Sequence, residues 1–174
     1  MNLRKCAATV CLAVLAWACD DSVYDSPVPA VAYLNYTCNI TTINAIAGQT
    51  EGQAQLNSPG GFVRIYDKRI LTASDALARG GLLLLQNYEG TAFHAFDLAC
   101  PNCYAEGKTG ANVQRLVMDD SQMAAVCPTC DSEFGAVFWG SPAPTRGLAN
   151  EHNYILRQYK AYLLNDGYTL AVTN

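Results

Sequence analysis

No apolar run in these 174 residues reaches the roughly 18 positions that a membrane-spanning helix needs. A basic cluster is missing too. Eleven Lys and Arg face fifteen Asp and Glu, for a net charge of −4, which argues against a nucleic-acid partner. Histidine is scarce, with only His94 and His152. There is no Gly-x-Ser-x-Gly elbow and no phosphate loop, so two common routes to hydrolase and nucleotide chemistry are closed. The chain also lacks internal repeats and low-complexity segments, which excludes solenoid architectures.

What remains is 51% hydrophobic and 15% charged, enough apolar material for one core. Met1 to Lys5 is a short basic start, and Cys6 to Ala18 is apolar, ending in Ala16-Trp17-Ala18. Residues 1–18 therefore read as a signal peptide, outside the fold. Removing them leaves nine basic and fifteen acidic side chains, a charge of −6. Cys19 follows at once and resembles the acylated cysteine of a bacterial lipobox. Ordinary secretory cleavage at the same bond is the alternative, with Cys19 a bystander. A multiply acylated cysteine anchors firmly, at about 0.8 kcal/mol per buried CH₂. Asp20 and Asp21 resemble the surface-export tails of Bacteroidota lipoproteins. Residues 19–29, with Pro27 and Pro29, read as a lipid-anchored linker. The expected location is the cell envelope, as an outer-membrane lipoprotein that is periplasmic or surface-exposed, and the expected partners are the membrane and an unknown protein.

Residues 30–174 are expected to form one all-β domain. Val31 to Thr42 is rich in β-formers, interrupted near Cys38. Phe62 to Tyr66 alternates as a strand should, Leu82 to Leu85 is a continuous apolar run of strand length, and Thr91 to Leu98 alternates again around the loop Asn87 to Gly90. Ser74 caps a predicted helical turn through Ala78. A hairpin is predicted over Asn112–Met118 and Met123–Val126, with Asp119-Asp120 at its turn. A last one joins Tyr154–Leu164 to Tyr168–Val172 through Asn165-Asp166-Gly167. Many short strands with turn signals imply an antiparallel barrel or sandwich. Tyr33 and Tyr36 are candidates for a partner surface, with core packing expected of at least one.

Four cysteines carry the chemistry. Cys100-Pro101-Asn102-Cys103 and Cys127-Pro128-Thr129-Cys130 are two Cys-Pro-x-Cys knuckles about two dozen residues apart. Two residues between cysteines let both sulfurs point at one centre, and proline stiffens the turn. Side by side, two such loops make a thiolate cage suited to zinc or iron. Disulfides are the competing reading, because the compartment can be oxidising; Cys100 would then bridge Cys127 or Cys130. Cys38 stands alone. His94 reads as a packed or surface strand residue, His152 as a loop residue, and Asp119-Asp120 as a solvated turn.

From about Gly81 to Asn174 the chain resembles the Rieske domain. The matching residues are Phe93-x-Ala95-Phe96-Asp97-x-x-Cys100-Pro101, Cys127-Pro128-x-Cys130-x-Ser132-x-Phe134, Gly140-Ser141-Pro142, Gly147-Leu148-Ala149, Tyr154-x-Leu156 and Leu170-x-Val172. The resemblance implies a small two-loop cysteine subdomain on an antiparallel base. In that family two cysteines and two histidines hold a 2Fe–2S cluster. Here Asn102 stands at the first histidine position and Cys130 at the second, and Cys103 is an added thiol. The expected site is therefore Cys100, Cys103, Cys127 and Cys130, holding zinc, iron, a 2Fe–2S cluster or nothing. The fused oxygenase domains of the family need a separate iron site with two histidines and a carboxylate; with only His94 and His152 and no second domain long enough to house it, no such site is expected here. The expected protein is a non-enzymatic structural or binding module, with an electron carrier as the alternative.

Overall fold

Period-two alternation builds the strands, and where it gives way to unbroken apolarity the strand is covered on both faces. The computed structural model describes residues 24–47, 56–66, 77–119, 121 and 123–174. The leader, Cys19, Asp120 and most of the predicted Ser74 turn lie outside the described residues. The fold is all-β, with antiparallel pairing throughout its sheets.

Six strands form the larger sheet: β1 (Asn35–Asn39), β2 (Phe62–Ile65), β3 (Leu82–Gln86), β4 (Phe93–Asp97), β8 (Gln158–Leu163) and β9 (Thr169–Thr173). Their order is β1-β9-β8-β4-β3-β2. Three short strands form the second sheet: β5 (Val117–Asp119), β6 (Ala124–Val126) and β7 (Glu133–Phe134). Leu82 to Leu85 are all fully buried. Leu83 and Leu85 join Phe96, Phe134 and the site cysteines in one apolar cluster, while Leu82 and Leu84 join Tyr36, Val63, Ala95 and Val172 in another. The second cluster draws on both edge strands, β1 and β2, so the sheet curls around it. Each fully buried leucine contributes about 1.5–3 kcal/mol.

Phe93 and Phe96 pack into opposite clusters, as the alternation predicts. Tyr36 is core, whereas Tyr33 is 67% exposed. The Asn165-Asp166-Gly167 turn forms as expected. Gly167 has φ +71°, and Asp166 accepts from the N–H groups of Tyr168 and Thr169.

Strand does not run on to Thr42. A helix, α1 (Ile40–Ala47), begins instead because Asn39 Oδ1 accepts from the N–H groups of Thr41 and Thr42, an N-cap. The predicted strand Asn112–Met118 also shortens to β5, preceded by a 3₁₀ turn over Gly110–Asn112. Two short helices were not foreseen: α2 (Pro101–Ala105) and α3 (Leu148–Glu151). No helix among the described residues is long and apolar enough to cross a membrane.

Asp25 to Val28, inside the segment read as linker, docks on the fold. Asp25 pairs with Tyr154, Val28 is fully buried, and Arg157 donates to the Val28 and Ser26 carbonyls at 2.8 and 3.1 Å.

Candidate metal centre

The first knuckle opens a helix. Cys100 sits at the N-cap position of α2 with extended backbone, and Pro101 occupies the first turn, where its missing N–H costs nothing. Cys103 then lies on the same end of the helix, facing back toward Cys100. The second knuckle is a tight loop between β6 and β7. Cys127 N–H donates to the Ser132 carbonyl at 2.8 Å, and Asp131 N–H returns to the Cys127 carbonyl at 3.0 Å. Gln114 ties the loops together. Its carbonyl accepts from Cys100 N–H at 2.8 Å, and its Oε1 accepts from the Thr129 hydroxyl at 2.8 Å.

The four sulfurs of Cys100, Cys103, Cys127 and Cys130 converge, all within 4.8 Å of one another. Cys100 and Cys130 are 3.5 Å apart, and Cys103 and Cys127 are 3.7 Å apart. These are contacts between thiols, not bonds, and no disulfide links them. The disulfide reading is therefore corrected. Zinc–sulfur bonds of about 2.3 Å arranged tetrahedrally put neighbouring sulfurs about 3.8 Å apart. The donor set thus fits one small divalent ion. Cys100, Cys103 and Cys127 are at most 1% exposed, and Cys130 is half-buried.

Crowding splits the acidities of Cys100, Cys103 and Cys127. A hydrogen bond from the Cys100 thiol, helped by the Thr129 and Cys130 N–H groups, holds Cys127 down to about 5. Burial and the neighbouring Cys127 push Cys103 up to about 12. Cys100 is raised by its bond to Cys127 and by burial. The Cys127 thiolate forms readily, while Cys100 and Cys103 resist, Cys100 through its bond to Cys127 and Cys103 through burial.

Side chains around the sulfurs compensate that charge. Ser132 Oγ, fully buried, lies 3.1 Å from Cys130 Sγ and accepts from Ala149 N–H at 2.9 Å. The Ser132 proton is left for the sulfur. Lys108 Nζ lies 3.9 Å from Cys103 Sγ and 3.1 Å from Glu106. Asn102, 1% exposed, donates to Glu106 and accepts from His152 Nδ1 at 2.9 Å. A third loop, led by α3, thus closes over both knuckles. Gly147 makes that approach possible: its φ is +80°, and a Cβ there would lie 2.3 Å from the Asp131 carbonyl oxygen.

The remaining sequence candidates lie elsewhere. Cys38 sits in β1, outside the cluster. His94 lies against Gly140, where an added Cβ would meet its ring at 2.5 Å, and burial lowers its pKa below the usual imidazole value. His152 is exposed and holds Asn102 rather than joining the sulfurs. Asp119 caps its own turn by accepting from the Ser121 N–H and hydroxyl. Sequence reasoning missed Ser132, Lys108 and the His152–Asn102 contact as site neighbours. A serine two residues after the last cysteine was visible, but its partner Ala149 is 17 positions away. Compared with family models, curated proteins and solved structures, the chain matches none.

Proposed function

We propose that this chain is a lipid-anchored envelope module whose two Cys-Pro-x-Cys loops are tied by one zinc ion. The observation that carries this is the convergence of four sulfurs within 4.8 Å, in a pocket with three of them buried. Zinc needs no redox partner and closes a four-thiolate structural site. Signal peptide, Cys19 acylation and outer-membrane location rest on the leader sequence alone. The frame is read as a Rieske-like domain without cluster histidines, and the role as non-catalytic, toward an unidentified protein partner.

Elemental analysis of anaerobically purified protein, together with its visible spectrum, tests the reading. One zinc per chain and no visible band are expected; a thiolate-to-iron absorption band would overturn it.

An iron-thiolate electron carrier is the second reading. Its support is the set of donors at the sulfurs, Ser132 and Lys108, and the partial exposure of Cys130. Such donors and exposure tune iron–sulfur potentials. A 2Fe–2S cluster fits less well, because two irons and bridging sulfides would spread the thiolates into two separated pairs.

A further inference from the structure

A strap at the start of the described chain is built onto the cysteine end of the fold. Asp25 N–H donates to Asn153 O at 3.3 Å, and Ile155 N–H donates to Asp25 O at 2.9 Å. Arg157 then clamps the Ser26 and Val28 carbonyls. Val28 is fully buried and packs with Ala99, Val113 and Tyr104. Ala99 precedes Cys100 and Tyr104 follows Cys103, so the strap lies against the residues that flank the first knuckle. Tyr154, opposite Asp25, packs against the cluster that holds the cysteines, and its N–H donates to Ala149 O on α3.

The strap also has a direction. From Asp25 the chain runs to Val31, whose carbonyl accepts from Asn174 Nδ2, and then into β1. Just past the far end of β1, Ile40 N–H donates to Tyr168 O in the β8–β9 turn. Residue 24 therefore leaves the domain at the cysteine end. The β8–β9 turn lies at the other end, because the run from Arg157 to Leu164 spans about 23 Å. A domain of this size is about 40 Å across.

Only residues 20–24 separate Cys19 from the docked Asp25. Fully extended, that stretch reaches about 20 Å. Docking is what keeps the tether short: free as far as β1, it would reach about 50 Å. A short tether rooted at one pole of a domain leaves that pole nearest the lipid. Tyr24, at the root, is 52% exposed. Its apolar ring and polar tip suit the headgroup layer.

We infer that the docked strap orients the anchored domain, turning the cysteine centre and α3 toward the bilayer and holding the β8–β9 turn away from it. The inference rests on the proposed acylation of Cys19 and not on which metal the sulfurs hold. The surface that meets the lipid headgroups is the α3 end. The exposed apolar side chains at the opposite turn, Leu163, Leu164 and Tyr168, face the medium.

The test uses the full chain expressed with its leader, extracted in detergent and returned to phosphatidylcholine vesicles that contain a headgroup-spin-labelled lipid. Intact mass reports acylation of Cys19. Trp139 is the one tryptophan after residue 18, so Trp139→Phe clears the background for a single reporter. Leu148→Trp places that reporter on α3, with Glu151→Trp as a second one there, and Tyr168→Trp places it at the far turn. Spin-label quenching is expected to be several-fold stronger for the α3 reporters than for Tyr168→Trp. A flexible insert of about thirty Gly and Ser residues between Asp21 and Ser22 leaves the strap docked and is expected to erase most of that difference. Equal quenching at both ends, stronger quenching of Tyr168→Trp, or a difference that survives the insert would overturn the inference while leaving the anchor in place. Cys19 found unmodified would overturn the inference and the lipid-anchored reading together.

Discussion

Ser132 Oγ stands 3.1 Å from Cys130 Sγ while accepting the Ala149 N–H at 2.9 Å. One buried hydroxyl therefore joins the second knuckle to the helix that covers it. Ser132→Ala leaves the Ala149 N–H without a partner in a buried place. The expected loss is about 1–3 kcal/mol in urea unfolding. Loss of the donor at Cys130 is expected to weaken zinc binding about 10–100-fold, read by competition with a chelator. Unchanged affinity would mean that the hydroxyl serves packing only.

Removing either Cys100 or Cys130 takes one ligand from the same ion. Cys100→Ser and Cys130→Ser are thus expected to lower the melting temperature alike, and to abolish its sensitivity to chelator. A chelator is expected to destabilise the native protein itself. Were only one of the two variants affected, a shared centre would be untenable.

Gly147→Ala tests the third loop. With φ +80° and ψ −169°, the site is essentially glycine-only, and the added methyl would press on the Asp131 carbonyl and Ser132 backbone. The second knuckle must move. A drop in zinc stoichiometry below one per chain is the expected result, larger than for Gly107→Ala, whose Cβ would meet nothing within 4 Å.

Asp97 is fully buried at the end of β4 and accepts from Arg79, Gly80 and Ala99 N–H groups and the Tyr159 hydroxyl. Asp97→Ala strands these donors and is expected to cost about 3 kcal/mol or more. Burial raises the carboxyl above its ordinary value, against those bonds. A raised carboxyl favours the folded state most below the unfolded value, and this advantage disappears as pH rises through the folded value. The stability difference between native protein and Asp97→Asn should therefore shrink from about pH 3 to pH 7 in urea titrations. A difference that grows over that range would reverse the sign of the shift.

Local pattern was legible wherever it was also the global answer. Phe62 to Ile65, Leu82 to Gln86 and Phe93 to Asp97 became strands because alternation or continuous apolarity matched their two covered faces. The helix after Cys38 was misread because Ile40-Thr41-Thr42 has β character, and the Asn39 cap overrode it. Pro101 at a first helical turn was a readable signal for α2 that the knuckle motif obscured.

By itself, the sequence determined the sulfur inventory, the pairing of cysteines within each knuckle and the all-β character, since these depend on spacing and on neighbours a few residues away. Only the tertiary structure decided that the knuckles meet and that they meet as thiols. Those outcomes hinge on contacts such as Gln114 to Thr129 and Ala149 to Ser132, between residues that no local periodicity links. Packing of the two sheets, not chain proximity, brings them within hydrogen-bond reach.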